Sequence, residues 1–453
     1  MGGITLYKHQ KVELAHLRLN DSFAIFAEQG TGKTLPILVR LLELLKKGKI
    51  TKALIVCPKA VMGSWTRDME KFFEDEDRFL LKNFVHVINY DKIWRKSGEW
   101  HRKEPWGVIV LDESHKIKNH TRNRSRCLLE MALNARYRYI LTGTPISNGQ
   151  LENIWAQFAF LQPRKGAWNH KTQSHTVESE IFDGTYYDWL DRYALLNKYY
   201  KPYRYRYVDE LQDIIAEHSY RVLKSECLDL PDKLPDEIYD IHQPKETAKQ
   251  YKELHEESVI EELEVLAKNP LARLTKLRQL CSGRINLPGE VVSAAHEKIE
   301  ALEEFLDGWS KKLVIFCEFS ASIDDVCELL EKLKIKHVVL DGRTKDKTIW
   351  KKFQTDEKIR VIVCQYQSAN AGIDLFAADT MIFYEPTLSS NVLEQAKDRI
   401  HRIGQHHPCS YIHFLTVGTI EKVIYRTLQQ YADFSVKLFE EYMMEYQKGW
   451  NHE

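Results

Sequence analysis

Ten short apolar runs, falling into two sets of five, limit what this chain can fold into more than any other feature. The first set lies at Phe23–Phe26, Ala53–Cys57, His86–Asn89, Val108–Leu111 and Tyr137–Leu141. The second lies at Leu313–Cys317, His337–Leu340, Arg360–Cys364, Thr380–Tyr384 and Tyr411–Leu415. Helix-like stretches separate the runs, and continuous apolar runs suit parallel strands covered by helices on both faces. The expectation is therefore an α/β chain with two parallel-sheet lobes. Its 453 residues exceed one comfortable core, and a hydrophobic content of 43% allows two full-sized ones.

Between the sets the composition changes. From Pro163 the chain is rich in Tyr, Trp and basic residues, while Pro244–Lys268 is strongly charged with periodic Leu and Val. That periodicity predicts helix with a solvated charged face. Pro231, Pro235 and Pro244 mark loops, and Leu287–Ala295 reads as a linker. The expected division is a first lobe over 1–165, helical insertions and linker over 166–296, and a second lobe over 297–453.

No apolar run reaches the roughly eighteen residues of a membrane span, and the N-terminus lacks a charged-then-apolar leader pattern. An intracellular chain without a membrane partner is expected. The eight cysteines are scattered without paired Cys/His spacing, so no zinc site is expected. A formal net charge of +0 means that any nucleic-acid partner must be met by charge arranged locally.

The residues Ala27-Glu28-Gln29-Gly30-Thr31-Gly32-Lys33-Thr34 directly follow the first run. They read as a strand, a phosphate-binding turn and a helix start, with Ala27 where the usual pattern has Gly. Such a turn offers the backbone N–H groups of Gly30, Thr31 and Gly32, the Lys33 ammonium for β/γ-phosphates and the Thr34 hydroxyl for Mg²⁺. The fourth run ends in Asp112-Glu113. At a parallel strand's C-terminus, one carboxylate can hold Mg²⁺ and the next can polarise an attacking water. Gln395, Arg399 and Arg402 stand at i, i+4 and i+7, which predicts one helix face ended by Gly404. An arginine beside a transferring phosphoryl group can contribute about 10³–10⁵ in rate.

In combination these segments resemble the Swi/Snf-related branch of superfamily-two helicase-like ATPases. The resemblance rests on Asp112-Glu113-Ser114-His115, on Leu141-Thr142-Gly143-Thr144-Pro145 followed by Asn153 and Trp155, and on residues 395–405, QAKDRIHRIGQ. It extends to Leu6–Gln10, Cys57-Pro58-Lys59 with Ser64-Trp65, Ile315–Cys317 and Val417–Glu421. It implies two RecA-like lobes that sandwich ATP with Mg²⁺. Gln10 would contact adenine, Gly30 to Thr34 the phosphates, Asp112 and Thr34 the metal, and Glu113 the attacking water. Arg399 and Arg402 would act as arginine fingers, with Gly372 and Asp374 on the ATP side. Thr142, Thr144 and Gln395 would couple hydrolysis to motion, and Lys59, Ser64, Trp65 and Ser368 would touch the DNA backbone.

The implied activity is ATP-driven movement on duplex or branched DNA, with a protein on that DNA as a further partner. Rival expectations are a strand-separating DNA or RNA helicase, a factor that displaces polymerase or other proteins, and an inactive scaffold. Absence of reader, zinc and nuclease motifs points to a cytoplasmic motor of a prokaryote, or of a virus in its host cell. One patch lies outside the family motifs. Tyr199–Tyr207 alternates aromatic and basic residues, and as a strand it places Tyr on one face and Arg204 and Arg206 on the other. Two readings stand equal there, a DNA surface or tyrosines packing an insertion against the first lobe.

Overall fold

A computed structural model describes residues 5–146, 149–169, 174–227, 230–257, 259–260, 265–266, 269–287, 290–369, 373–430, 434 and 438–439. The chain forms two compact units, residues 1–229 and 230–453. The first contains β1 (Ser22–Ala27), β2 (Ala53–Cys57), β3 (Val85–Asn89), β4 (Val108–Asp112) and β5 (Tyr137–Leu141). Its six-stranded sheet has the order Ser219–Val222, β1, β5, β4, β2, β3, with every pair parallel. The second unit repeats the plan. Its six strands run Glu237–Ile241, Ser410–Thr416, Thr380–Phe383, Leu313–Cys317, Val361–Gln365 and His337–Leu340, again all parallel.

All ten expected strands form. Two edge strands, Ser219–Val222 and Glu237–Ile241, were not expected, because each mixes polar with apolar residues and leaves no continuous apolar run. The stretch 166–296 is shared, with one edge strand going to each unit. The charged helix is shorter than its pattern suggested, Lys245–Glu256. At the expected linker, Arg284–Leu287 pairs antiparallel with Glu290–Ser293.

Both faces of the inner strands are covered, so β2 and β4 are buried throughout. Two apolar clusters flank the first sheet and two flank the second. All eight cysteines are free thiols, six buried and two half-buried. Among the described residues no helix is long and apolar enough to cross a membrane.

Three helices place the first unit's chemistry: α1 (Lys8–Leu19), α2 (Thr34–Lys46) and α3 (Met62–Phe72). α2 begins where the turn after β1 ends, and ten of its residues, Leu35 to Leu44, are buried. This packing points its N-terminus at the C-terminal edge of the sheet, where an open parallel sheet receives ligands.

Candidate active site

The turn after β1 needs glycine twice. Gly30 and Gly32 have φ +84° and +81°, a region open to glycine. A Cβ on Gly32 would also come within 2.6 Å of Gln10 Nε2. The first turn of α1 braces this loop. Gln10 Nε2 donates to Gly32 O at 3.0 Å, Gln10 Oε1 accepts from Tyr7 N at 3.0 Å, and His9 Nε2 lies 2.8 Å from Thr31 O. The sequence brought out Gln10 but not its neighbour His9.

At the end of β4 the two carboxylates part company. Glu113 turns out of the strand at φ +55°, a conformation uncommon outside glycine and concentrated at functional sites. Its Oε1 lies 3.4 Å from Lys33 Nζ and 3.3 Å from Gln29 Nε2, and its Oε2 lies 3.3 Å from His115 Nδ1. The same His115 nitrogen is 3.1 Å from Thr142 Oγ1, which accepts from Thr144 N at 3.1 Å. A continuous polar chain thus joins the end of β4 to the loop after β5.

Asp112 is 2% exposed. Its Oδ2 accepts from Trp65 Nε1 at 2.9 Å, while its Oδ1 has no hydrogen-bond partner among the described residues. Thr34 Oγ1 donates to Asp68 Oδ2 at 2.8 Å. Trp65 and Asp68 are three residues apart on α3, so one face of one helix holds both Asp112 and Thr34.

Burial pushes Asp112 up to about 6, against the pull of the Lys33 ammonium. Burial also pushes Glu113 up, but Lys33 and His115 outweigh it and hold that carboxyl below the usual range. Lys33 is disfavoured by burial, yet Glu113 and Asp112 beside it raise its pKa. One buried acid was not singled out by the sequence. Glu13 on α1 is fully enclosed, both its oxygens lack partners among the described residues, and burial pushes it up to about 8 despite Lys33.

One expected DNA contact is corrected. Trp65 is 0% exposed and bonded to Asp112, so it cannot lie on a DNA backbone. Lys59, in the 3₁₀ turn Lys59–Val61, is exposed, and Ser64 is half-buried.

In the second unit the expected helical face is also corrected. The helix is Ser390–Lys397, so Gln395 lies on it and Arg399 and Arg402 follow it in turns. The Arg399 carbonyl accepts from Leu375 N at 2.9 Å, which ties this turn to another segment. Arg399 is buried. Arg402 Nη1 lies 2.6 Å from Asp374 Oδ1 and donates to Ile373 O at 3.0 Å. Gln395 donates to Asn391 at 3.3 Å, and Ser368 is half-buried on the short helix Tyr366–Ala369. Gly372 lies outside the described residues.

The description "SNF2-related domain" matches residues 9–284 and "helicase conserved C-terminal domain" matches residues 297–404. Similar curated proteins include an uncharacterized ATP-dependent helicase of Mycoplasma genitalium, 28% identical over 94% of this chain and 41% of its own. Another is the "DNA annealing helicase and endonuclease ZRANB3" of Bos taurus, 25% identical over 84% of this chain and 36% of its own. The chain spans between 36% and 41% of the length of these relatives. Among solved structures, the "Sulfolobus solfataricus SWI2/SNF2 ATPase core in complex with dsDNA" is 25% identical with a TM-score of 0.45, covering 97% of this chain and 92% of that one. With most of its length matched by these two domains, the chain belongs to the SNF2-related family of helicase-like ATPases.

Proposed function

We propose that this chain hydrolyses ATP with Mg²⁺ and uses the cycle to move along duplex DNA. The observation that carries the reading is the convergence of Lys33, Thr34, Asp112 and Glu113 where the turn after β1 meets the end of β4. The donor set suits a hard cation. Asp112 Oδ1 is an enclosed carboxylate oxygen without a hydrogen-bond partner among the described residues, and the Thr34 hydroxyl oxygen is the second donor. When bound, Mg²⁺ would neutralise charge on the β- and γ-phosphate oxygens.

The chain's own groups then have distinct tasks. Gln10 reads adenine, and the backbone of Gly30 to Gly32 cradles phosphate. Lys33 is paired with Glu113, so an arriving γ-phosphate competes for the ammonium and releases the carboxylate to orient water. The Lys33 ammonium and His115 hold the Glu113 carboxyl below its ordinary range against the opposing effect of burial, which keeps it ionised for that role. Arg399 and Arg402 stabilise the developing charge, with Gly372 and Asp374 serving the same nucleotide. Thr142, Thr144 and Gln395 transmit the result, and Lys59, Ser64 and Ser368 hold the DNA backbone. ATP would favour one arrangement of the two units and hydrolysis would remove that preference, which yields stepping.

The Sulfolobus neighbour is described with duplex DNA and the ZRANB3 relative as an annealing helicase, which supports a duplex or branched substrate, with displacement of DNA-bound protein as one outcome of movement. Mycoplasma relatives support action in a prokaryotic cytoplasm. The test is ATPase activity titrated with blunt duplex, forked and single-stranded DNA and with RNA. Duplex-containing DNA is expected to stimulate most, and Glu113→Gln to bind ATP without turnover. Full activity in Glu113→Gln or Arg402→Ala refutes the assigned roles.

A further inference from the structure

The Tyr/Arg patch takes a definite form. Ala194–Leu196 and Pro202–Tyr205 pair antiparallel, with Ala194 opposite Tyr205 and Leu195 opposite Arg204. Asn197 organises the tip. Its Oδ1 accepts from Tyr199 N at 2.9 Å and Lys201 N at 3.1 Å, its N donates to Lys201 O at 2.9 Å, and its O accepts from Tyr200 N at 2.9 Å. The base is anchored: Tyr205 Oη donates to the Glu152 carboxylate, Tyr193 Oη donates to Glu210 at 2.6 Å, and Arg206 donates to Asp191 O.

Packing therefore explains Tyr205 and not the others. Tyr199, Tyr200, Tyr203 and Tyr207 are 69%, 83%, 66% and 61% exposed. Two of them, Tyr200 and Tyr207, are also held at φ +58° and +51°. A bulky residue in that region is strained, and such strain collects at binding sites. Lys198, Lys201 and Arg204 are exposed among these rings, with Lys198 Nζ 5.1 Å from the Tyr199 ring centroid.

We propose that this hairpin binds unpaired nucleobases of a DNA strand, through exposed tyrosine faces interleaved with exposed cations. The proposal rests on the DNA reading above and specifies which part of the DNA is gripped here. Every base has a π-face on which an aromatic ring can stack, while cations follow the phosphates. Inside a closed duplex those faces are covered by neighbouring pairs. Rings held outward on a pre-formed tip are thus of use where the strands separate, and a purely phosphate-binding surface would need only the lysines and arginine.

The experiment compares wild type with Tyr200→Ala/Tyr203→Ala and Tyr200→Phe/Tyr203→Phe by fluorescence anisotropy on blunt duplex, forked duplex and single-stranded DNA at one fixed salt concentration. The alanine pair is expected to bind fork and single strand about tenfold or more weakly, with blunt-duplex affinity unchanged and the phenylalanine pair close to wild type. Both positions are largely exposed, so an unchanged melting temperature checks the fold. Equal weakening on blunt duplex overturns the proposal, as does unaltered fork binding or loss of a protein partner's affinity with all DNA binding intact. If wild type binds none of the three DNAs, the DNA reading itself falls. If wild type binds blunt duplex and fork but tyrosine removal has no selective effect, only this inference falls.

Discussion

Trp65→Phe removes the indole N–H donor, together with part of the ring, from a fully enclosed side chain. The phenyl group keeps most of the bulk of a side chain that is 0% exposed, while the donor to Asp112 Oδ2 at 2.9 Å is lost. A hydrogen bond to a charged group contributes about 1.5–3 kcal/mol, and every 1.4 kcal/mol or so is tenfold in an equilibrium. Partners that orient a metal-binding side chain typically matter by about 10–100-fold. Magnesium-dependent nucleotide affinity is therefore expected to fall by about 10–100-fold, with affinity for nucleotide in chelator nearly unchanged. A second readout separates orientation from simple loosening of the core. Trp65 helps to hold down an Asp112 carboxyl that burial has pushed up to about 6, so its removal shifts the acidic limb of the pH–activity profile towards higher pH. The assay is titration of a fluorescent nucleotide with and without Mg²⁺, beside thermal melts. Unaltered magnesium dependence in a folded Trp65→Phe protein would refute the reasoning.

Two further predictions concern stability. Glu13 is raised from 4.5 to about 8, so the folded chain holds a proton that the unfolded chain has lost across that window. Stability of the first unit is expected to fall as pH rises from about 4.5 to about 8, by an amount of order 1.4 kcal/mol per pH unit at most. Glu13→Gln should flatten that slope in urea melts run at several pH values, and an unchanged slope would refute the assignment. In the second unit Lys298 Nζ lies 2.6 Å from Glu421 Oε1 with the side chains 1% and 0% exposed. Lys298→Met leaves an enclosed carboxylate unpaired and is expected to cost about 3–5 kcal/mol, or roughly 6–20 °C in melting temperature. The double variant Lys298→Met/Glu421→Leu should recover part of that loss in the same melts; a single variant as stable as wild type would contradict the account.

What the sequence revealed followed from physical redundancy. Inner parallel strands such as Ala53–Cys57 must be apolar on both faces, so their runs stood out. Ser219–Val222 and Glu237–Ile241 lie at sheet edges and mix polar with apolar residues, which leaves no comparable mark. The glycine turn after β1 and Asp112-Glu113 were legible as candidate site residues because the members of each group are adjacent in the chain. The roles of Trp65 and Asp68 were not, since a motif gives a residue's place in the chain and not the side of the helix it occupies. Trp65 and Met69, one turn apart and both buried, carried the missing signal. Arg399 and Arg402 fit a helical spacing, but the helix stops at Lys397, where Arg399 N turns to Ala396 O at 3.0 Å, and the Arg399 carbonyl beyond it accepts from Leu375 N.

The sequestered thiols have a practical consequence. Burial pushes the Cys57, Cys127, Cys281, Cys317, Cys327 and Cys364 thiols up, and maleimide chemistry requires the thiolate. Dyes attached to cysteines introduced at exposed positions would meet little competition from these native groups. Single-molecule fluorescence could then report on each of the two units during ATP turnover without first stripping the chain of its own sulfur.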